Sequence, residues 1–185
     1  MNGPINAAAG VSATRFRLAA EGDLPAVVEA YNAGIEDRVA TFETQPRTVA
    51  DLASWLTDGQ PFLVAERGGR VVGFARAGAY SDRCVYTGVG EHAVYVARDA
   101  RGQGLGRQLL EQLVAECERR DFYKLTSRIF TDNPASLAAH RAAGFEEVGV
   151  QRRHGKLDGV WKDCVLVERL LGEAATDDDP RYGAG

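Results

Sequence analysis

The 185-residue chain has only three cysteines, no excess of basic charge and no long apolar run, and each shortage removes a class of function. Cys84, Cys117 and Cys164 are odd in number and widely spaced, which fits reduced thiols and matches neither a disulfide framework nor a zinc-ligand pattern. Cys117 falls on the leucine face of a helical pattern and Cys164 alternates with Leu166, so both are expected in the core; no metal site is expected. A net charge of −4 and a pI near 5.4 supply no basic face for nucleic acid or an acidic membrane, so any anion site has to be local. No stretch reaches the length of a membrane span, and the N-terminus has no charged segment followed by an apolar core. A cytoplasmic protein with neither nucleic-acid nor membrane partners is therefore the expectation.

What the chain does have is a 45% hydrophobic content, enough for one sizeable core. Residues 1–13 and 173–185 lack apolar periodicity and are expected to be disordered tails around one domain at 14–172. Within it, Arg15 to Leu18 reads as a strand. Asp23 is expected to cap a helix with Leu24, Val27, Val28, Tyr31 and Ile35 on one face, and Thr48 with Asp51 forms a capping box for a second short helix. Phe62 to Glu66 and Arg70 to Ala79 flank Gly68-Gly69 as a hairpin. A strand from about Ala93 to Ala97, a helix over roughly 104–120, a strand at Lys124 to Phe130 and a helix from Asn133 to a cap at Gly144 follow. Phe145 to Val150 and Trp161 to Leu170 are the last strands, joined by His154-Gly155-Lys156-Leu157-Asp158-Gly159. The order is βααβββαβαββ, an α/β class with a mixed sheet.

Arg101-Gly102-Gln103-Gly104-Leu105-Gly106-Arg107 sits between a strand and a helix start. Glycines let the backbone approach a ligand, and free N–H groups at a helix N-terminus point at anions, so a phosphate or pyrophosphate is the natural occupant, flanked by Arg101 and Arg107. The segment lacks the Lys-Ser/Thr of a P-loop and the Gly-x-Gly-x-x-Gly spacing of a dinucleotide fold. A glycine-rich surface turn is the bland alternative. The pattern Arg-x-x-Gly-x-Gly in Arg101 to Gly106 resembles the pyrophosphate loop of the GNAT N-acetyltransferases, to whose fold the element order also belongs. The resemblance implies acetyl-CoA as co-substrate. It also implies that the strand at Val94, Tyr95 and Val96 splays from its neighbour and offers unpaired amides to the thioester.

Tyr86-x4-Glu91-x2-Val94-Tyr95-Val96 resembles the phosphinothricin N-acetyltransferase branch, where the glutamate is the general base. The resemblance implies that role for Glu91 and implies His140 as the acid for the leaving thiolate. It assigns co-substrate contact to Asn133 and Ser136, although Asn133 is an N-cap for the helix opened by Pro134 in either case. An ordinary exposed glutamate and a helix histidine are the other readings of Glu91 and His140. His92 and His154 are expected to be non-catalytic, with His92 facing opposite to Glu91 by strand alternation.

Three further segments resemble the same branch: Tyr31 to Ile35 with Ala40 to Thr44 (including Phe42) as a cover over the acceptor, Ala77 to Tyr86 with Arg83 and Tyr86, and His154 to Asp163 with Gly155 and Lys156. Guanidinium forks bind carboxylate, phosphinate or arsinate oxygens, which makes Arg83 the expected anchor, with a solvated loop arginine as the alternative. Phosphinothricin enzymes usually carry a lysine two residues earlier, where this chain has Ser81. The stretches Tyr86 to Glu91 and Lys124 to Phe130 look closer to arsinothricin N-acetyltransferases. The resemblance thus implies detoxifying acetylation of a glutamate-like amino acid such as phosphinothricin, arsinothricin or methionine sulfoximine, in a homodimeric enzyme. Open alternatives are a covalent route through Cys84, acetylation of protein N-termini, and an acetyl-CoA-binding module without chemistry.

Overall fold

A computed structural model describes residues 13–176. Seven strands form one sheet in the order β1-β2-β3-β4-β5-β7-β6: β1 (Thr14–Leu18), β2 (Phe62–Arg67), β3 (Arg70–Ala79), β4 (Val89–Val96), β5 (Lys124–Phe130), β6 (Glu146–Leu157) and β7 (Val160–Leu170). Every neighbouring pair is antiparallel except β4 and β5, which are parallel and joined through α3 (Leu105–Glu118).

Strands buried on both faces lose simple alternation, as in Phe62-Leu63-Val64-Ala65 of β2. Phe62, Val64, Phe74 and Tyr95 pack with Leu24, Val27, Tyr31 and Ile35 of α1 (Leu24–Asp37) and with Leu52 of α2 (Val49–Leu52). On the other face Leu63, Ala65, Ala75, Leu125 and Ile129 meet Leu105, Leu109, Leu110 and Leu113 of α3. Those last four leucines are at most 1% exposed; truncating any one to alanine costs about 2–5 kcal/mol. α4 (Pro134–Ala142) lies beside α3, and Gly144, two residues past its end, is in the left-handed region.

The order of the main elements agrees with βααβββαβαββ, and Cys117 and Cys164 are both buried. Four boundaries or caps differ. β4 begins at Val89 rather than Ala93, because its pairing with β3 and β5 overrides the weak strand tendency of Gly90 and Glu91. β6 continues to Leu157, so the turn is Asp158-Gly159 alone. An irregularity between Gln151 and Gly155, with Arg153 at φ 51°, lets that strand bend and keep its pairing. Asp23 occupies the N-cap position of α1 without capping it, because its carboxylate is taken by Arg17 and the Ala20 N–H. Glu173–Thr176 forms a short α5 where a disordered tail was expected, with the Ala175 N–H donating to the Gly172 carbonyl. The remainder of both expected tails, 1–12 and 177–185, lies outside the described residues.

Arg17 Nη1 and Nη2 reach Asp23 at 2.6 and 2.9 Å, and Asp23 also accepts from Ala20 N at 2.8 Å. The guanidinium, more than the backbone donor, holds the Asp23 carboxyl below its ordinary range against the opposing effect of burial. A depressed folded-state pKa contributes stability above the unfolded value and loses it as pH falls through the folded value. Asp23→Asn is expected to lower the unfolding free energy by about 1–3 kcal/mol at pH 7. The gap from wild type should close below about pH 4; urea titrations at pH 7, 5 and 3 check this, and a gap constant across pH would contradict it.

Candidate active site

β4 and β5 pair only at Val89–Lys124, Gly90–Leu125 and Glu91–Thr126, and then part. β4 stays paired with β3 as far as Val96, and β5 stays paired with β7 as far as Phe130. The edge of β4 that faces β5 is therefore left open from His92 to Val96. A cavity of about 610 Å³ occupies the opening, and a second of about 480 Å³ adjoins it, with Ala93, Tyr95, Ser127 and Arg128 lining both.

Val94, Tyr95, Val96, Arg101, Gly102, Gly104, Leu105, Gly106, Arg107, Asn133, Ser136 and His140 all line the larger cavity. Gly102 and Gly104 have φ of 72° and 74°, conformations that L side chains rarely adopt, and Gly104 precedes the first turn of α3. Leu105, Gly106 and Arg107, whose N–H groups have no partner within the helix, line the cavity. Such a cradle fits a pyrophosphate, and the open β4 edge fits an extended amide-bearing chain. Arg101 is already engaged: it reaches Val96 O at 3.0 Å and Asp37 at 2.6 Å. Asp37 is held below the usual carboxylate range by Arg98 first and then by Arg101, so the pair pins the loop to the end of α1. Arg107 pairs with Glu111 at 2.7 Å on the exposed side of α3. Gln103 turns the other way, to Arg67 and the Asp99 carbonyl, and lines neither cavity.

Asn133 accepts from Ser136 N at 3.1 Å as an N-cap and donates to Val39 O at 2.9 Å. It thereby ties α4 to the segment that follows α1. That segment is fastened to α1 as well, by Asn32 with Arg47 and by the Tyr31 hydroxyl, which donates to Glu43 at 3.1 Å. Burial, and then the Glu43 charge, raises the Tyr31 phenol to about 12, so the hydroxyl keeps its proton.

Tyr31 and Glu91 line the smaller cavity, together with Thr41, Glu43, Trp55, Phe74, Arg76 and Tyr95. Glu91 Oε1 takes a bond from Arg128 at 2.6 Å while its side chain remains 47% exposed. Arg76 rises from the middle of β3, stacks over Trp55 at 4.7 Å and pairs with Asp58; its Nε is buried without a partner. Sequence reasoning missed Arg76 and Arg128, although a cation in the middle of an apolar strand is a visible signal.

Phe42, Arg83, Tyr86, Gly155 and Lys156 line neither cavity. Phe42 packs on Phe130 at 4.7 Å and against Gly155, filling a small apolar cluster with Leu157 and Cys164. Arg83 lies over Tyr86 on an exposed turn, and Lys156 lies over Trp161. Cys84 is on the same exposed turn and lines neither cavity. Burial pushes the Cys117 thiol up to about 12.

His140 is 3% exposed and uses both ring nitrogens: Nδ1 reaches the Ser136 carbonyl at 2.8 Å and Nε2 reaches His92 Nε2 at 3.0 Å. Burial lowers the pKa of both rings, with the other ring adding to the shift at His92, so the pair is neutral at pH 7. Among the described residues no group of His, Cys, Asp and Glu is arranged to hold a metal, and no helix is long and apolar enough to cross a membrane.

Residues 27–145 match the acetyltransferase (GNAT) family model. A phosphinothricin N-acetyltransferase from Alcaligenes faecalis is 38% identical over 169 residues, 89% of this chain and 86% of that one. A GNAT superfamily phosphinothricin acetyltransferase from Sinorhizobium meliloti, solved in complex with acetyl-CoA, superimposes with a TM-score of 0.82 at 35% identity, over 89% of this chain and 92% of that one. A ribosomal-protein-alanine N-acetyltransferase from Brucella melitensis superimposes with a TM-score of 0.81 at 38% identity, over 85% of this chain and 99% of that one.

Gly34, which lines the larger cavity, lets α1 meet β4, since a Cβ there would stand 2.5 Å from Tyr95 Cε1. Gly34→Ala is expected to cost about 1–3 kcal/mol in unfolding free energy. Gly22→Ala, whose Cβ would meet nothing within 4 Å, should be near neutral. Denaturant melts of the two variants check the contrast, and equal effects would contradict the contact.

Proposed function

This chain belongs to the acetyltransferase (GNAT) family and is an acetyl-CoA-dependent N-acetyltransferase, and from that premise we propose that it acetylates the α-amino group of a glutamate-like amino acid. The acceptors we assign are glutamate analogues of the phosphinothricin, arsinothricin or methionine sulfoximine kind, and the physiological outcome is their detoxification. The observation that carries this reading is the pair of cations, Arg76 and Arg128, in a cavity of about 480 Å³ that adjoins the co-substrate cavity and is walled by Tyr31, Trp55, Phe74 and Tyr95. A guanidinium with a buried, unpartnered Nε is suited to one anionic end of an amino acid, and the aromatic walls to its methylenes. Arg76 thus replaces Arg83, which stands on the surface, as the anchor of this reading.

In this account Gly102 to Arg107 grips the pyrophosphate and the open amides of Val94 to Val96 hold the thioester arm. Glu91, which accepts a hydrogen bond from Arg128, takes the ammonium proton through water. Direct attack of the amine on the thioester needs no acyl-enzyme, which agrees with Cys84 lining neither cavity. The same reading carries a homodimer in the cytoplasm, and sedimentation equilibrium checks the first part.

A second reading, acetylation of protein N-termini, is favoured by the likeness to the Brucella melitensis structure. Against it, the segment from Arg38 to Thr48, which supplies Thr41 and Glu43 to the wall of the smaller cavity, is fastened to α1 by the Tyr31–Glu43 and Asn32–Arg47 bonds, where a peptide would need an open groove.

Thiol release with phosphinothricin, arsinothricin, methionine sulfoximine, glutamate and an alanine-ended peptide, run in parallel, should give turnover on at least one of the first three and none on the peptide. The opposite pattern would overturn the substrate assignment. Glu91→Gln is expected to lower turnover about a hundredfold at neutral pH with unchanged acetyl-CoA affinity; unchanged turnover would remove Glu91 from the mechanism. Arg76→Met is expected to raise the acceptor KM about tenfold or more, in line with the loss of a charge-assisted bond, while Arg83→Met leaves it within twofold.

A further inference from the structure

Arg76 and Gly78 lie two residues apart on β3, so they present the same face of the sheet, and both line the smaller cavity. A Cβ on Gly78 would stand 2.9 Å from Arg76 Nη1 and 3.9 Å from its Cζ, so the guanidinium occupies the place that a side chain at 78 would take. The strand register fixes what lies beside it. Gly78 pairs with Glu91 and Arg76 with Ala93 across the antiparallel β3–β4 ladder, where opposite residues share a face with Cα atoms about 5 Å apart. The Arg76 guanidinium therefore sits next to Glu91 on its β3 side. Arg128, whose Nη1 donates to Glu91 Oε1 at 2.6 Å, holds the same carboxylate from β5. The two arginines differ in the donors they have left. Arg128 lines both cavities and commits Nη1 to Glu91 and Nε to the Gln151 side-chain oxygen at 3.2 Å. Arg76 lines only the smaller cavity. Its Nη2 pairs with Asp58 and its plane stacks over Trp55, while Nη1, the atom over Gly78, makes no hydrogen bond among the described residues. A guanidinium stacked on an aromatic ring keeps its in-plane donors available to an anion.

We propose that Arg76, with its Nη1 laid over Gly78, is the subsite for the α-carboxylate of the acceptor, and that Gly78 determines specificity because its missing side chain leaves room for that placement. The inference rests on the amino-acid acetylation reading above and adds which end of the acceptor goes where. The α-amine and the α-carboxylate are borne by one carbon, so the cation that takes the carboxylate has to stand beside the base that serves the amine. The side-chain group of a glutamate-like acceptor is separated from that carbon by two methylenes, and its capture beside Glu91 would carry the amine away from the base. The direction of attack agrees. The co-substrate opening is on the β5 side of β4, so an amine turned toward the thioester leaves its carboxylate on the β3 side, where Arg76 stands. Asp58 at Nη2 and Trp55 against its plane fix the orientation of the guanidinium before the acceptor arrives. The side-chain group of the acceptor is then left to the rest of the cavity.

Phosphinothricin and methionine sulfoximine, each supplied as the free acid and as the α-carboxamide, separate the two ends of the acceptor. The wild-type protein is expected to favour the acid over its carboxamide by about tenfold to a hundredfold in kcat/KM, the range of a hydrogen bond to a charged group, whichever side chain is present. In Arg76→Met that ratio should fall to near one, while the ratio between the two free acids, which differ only in the side chain, stays within about threefold of wild type. Gly78→Ala keeps the charge and moves it: only the flexible end of Arg76 stands within 3 Å of the new Cβ. It should raise the KM of the free acids about three- to tenfold and leave the KM for acetyl-CoA within twofold. The double variant should lose no more than Arg76→Met, since both changes act on one contact. A ratio of acid to carboxamide that survives in Arg76→Met, a ratio near one in the wild-type protein, or single losses that multiply in the double variant would overturn the subsite. A collapse in Arg76→Met of the ratio between the two free acids would do the same and would move Arg76 to the side-chain end. Calorimetric binding of the four compounds to wild type and Gly78→Ala, each saturated with CoA, reads the same ratio without turnover and covers an Arg76→Met that does not fold; an equal ratio in the two proteins would overturn the proposal. Failure of the acceptor reading is distinct, because the wild-type protein would then release no thiol with either free acid.

Discussion

β4 and β5 run together for three residue pairs and then separate, and the functional architecture follows from that parting. A sheet interior cannot leave backbone groups buried and unpaired without a cost of a few kcal/mol per group, so an opening there persists only if something supplies partners. The outer strands resist closure: β3 holds β4 in full register to Val96 and β7 holds β5 to Phe130. Helices cannot fill the gap either, because α1 and α2 pack on one face and α3 and α4 on the other. The cavity between the strands thus follows from the topology, and the open β4 edge leaves unpaired backbone groups along it.

The charged groups around the opening are paired before any ligand arrives. Asp37 holds Arg98 and Arg101, Glu91 holds Arg128, and Asp58 holds Arg76. Groups fixed in this way need little rearrangement when charge develops at the thioester, which is the physical basis of electrostatic preorganisation. The segment after α1 is fastened through Asn133, Asn32 and Tyr31, so the loop that supplies Thr41 and Glu43 to the smaller cavity is anchored both to α1 and to α4.

The glycine loop was legible because its geometry is local: a run of residues determines both the left-handed turns and the helix start. Leucine spacing in α3 and the capping box at Thr48 were legible for the same reason. The start of β4 was hidden because Gly90 and Glu91 are poor strand formers, held there by partners on both sides. β6 was cut short because its second half is an exposed edge whose charged residues and bend mask alternation. In the site, Arg83 is the anchor that the resemblance of its segment and the chemistry of a guanidinium fork suggest, and the structure puts it on an exposed turn that lines neither cavity. Arg76 reaches the cavity only through the register of β3 with β4. The His92–His140 contact joins residues 48 apart and has no local signature at all.

The parting of β4 from β5 as the seat of the co-substrate is tested most directly by hydrogen–deuterium exchange of the backbone amides with and without acetyl-CoA. The account predicts strong new protection at His92 to Val96 and at Gly102 to Arg107, with β6 and β7 unchanged. Exchange at those two segments that is the same with and without saturating acetyl-CoA would contradict it.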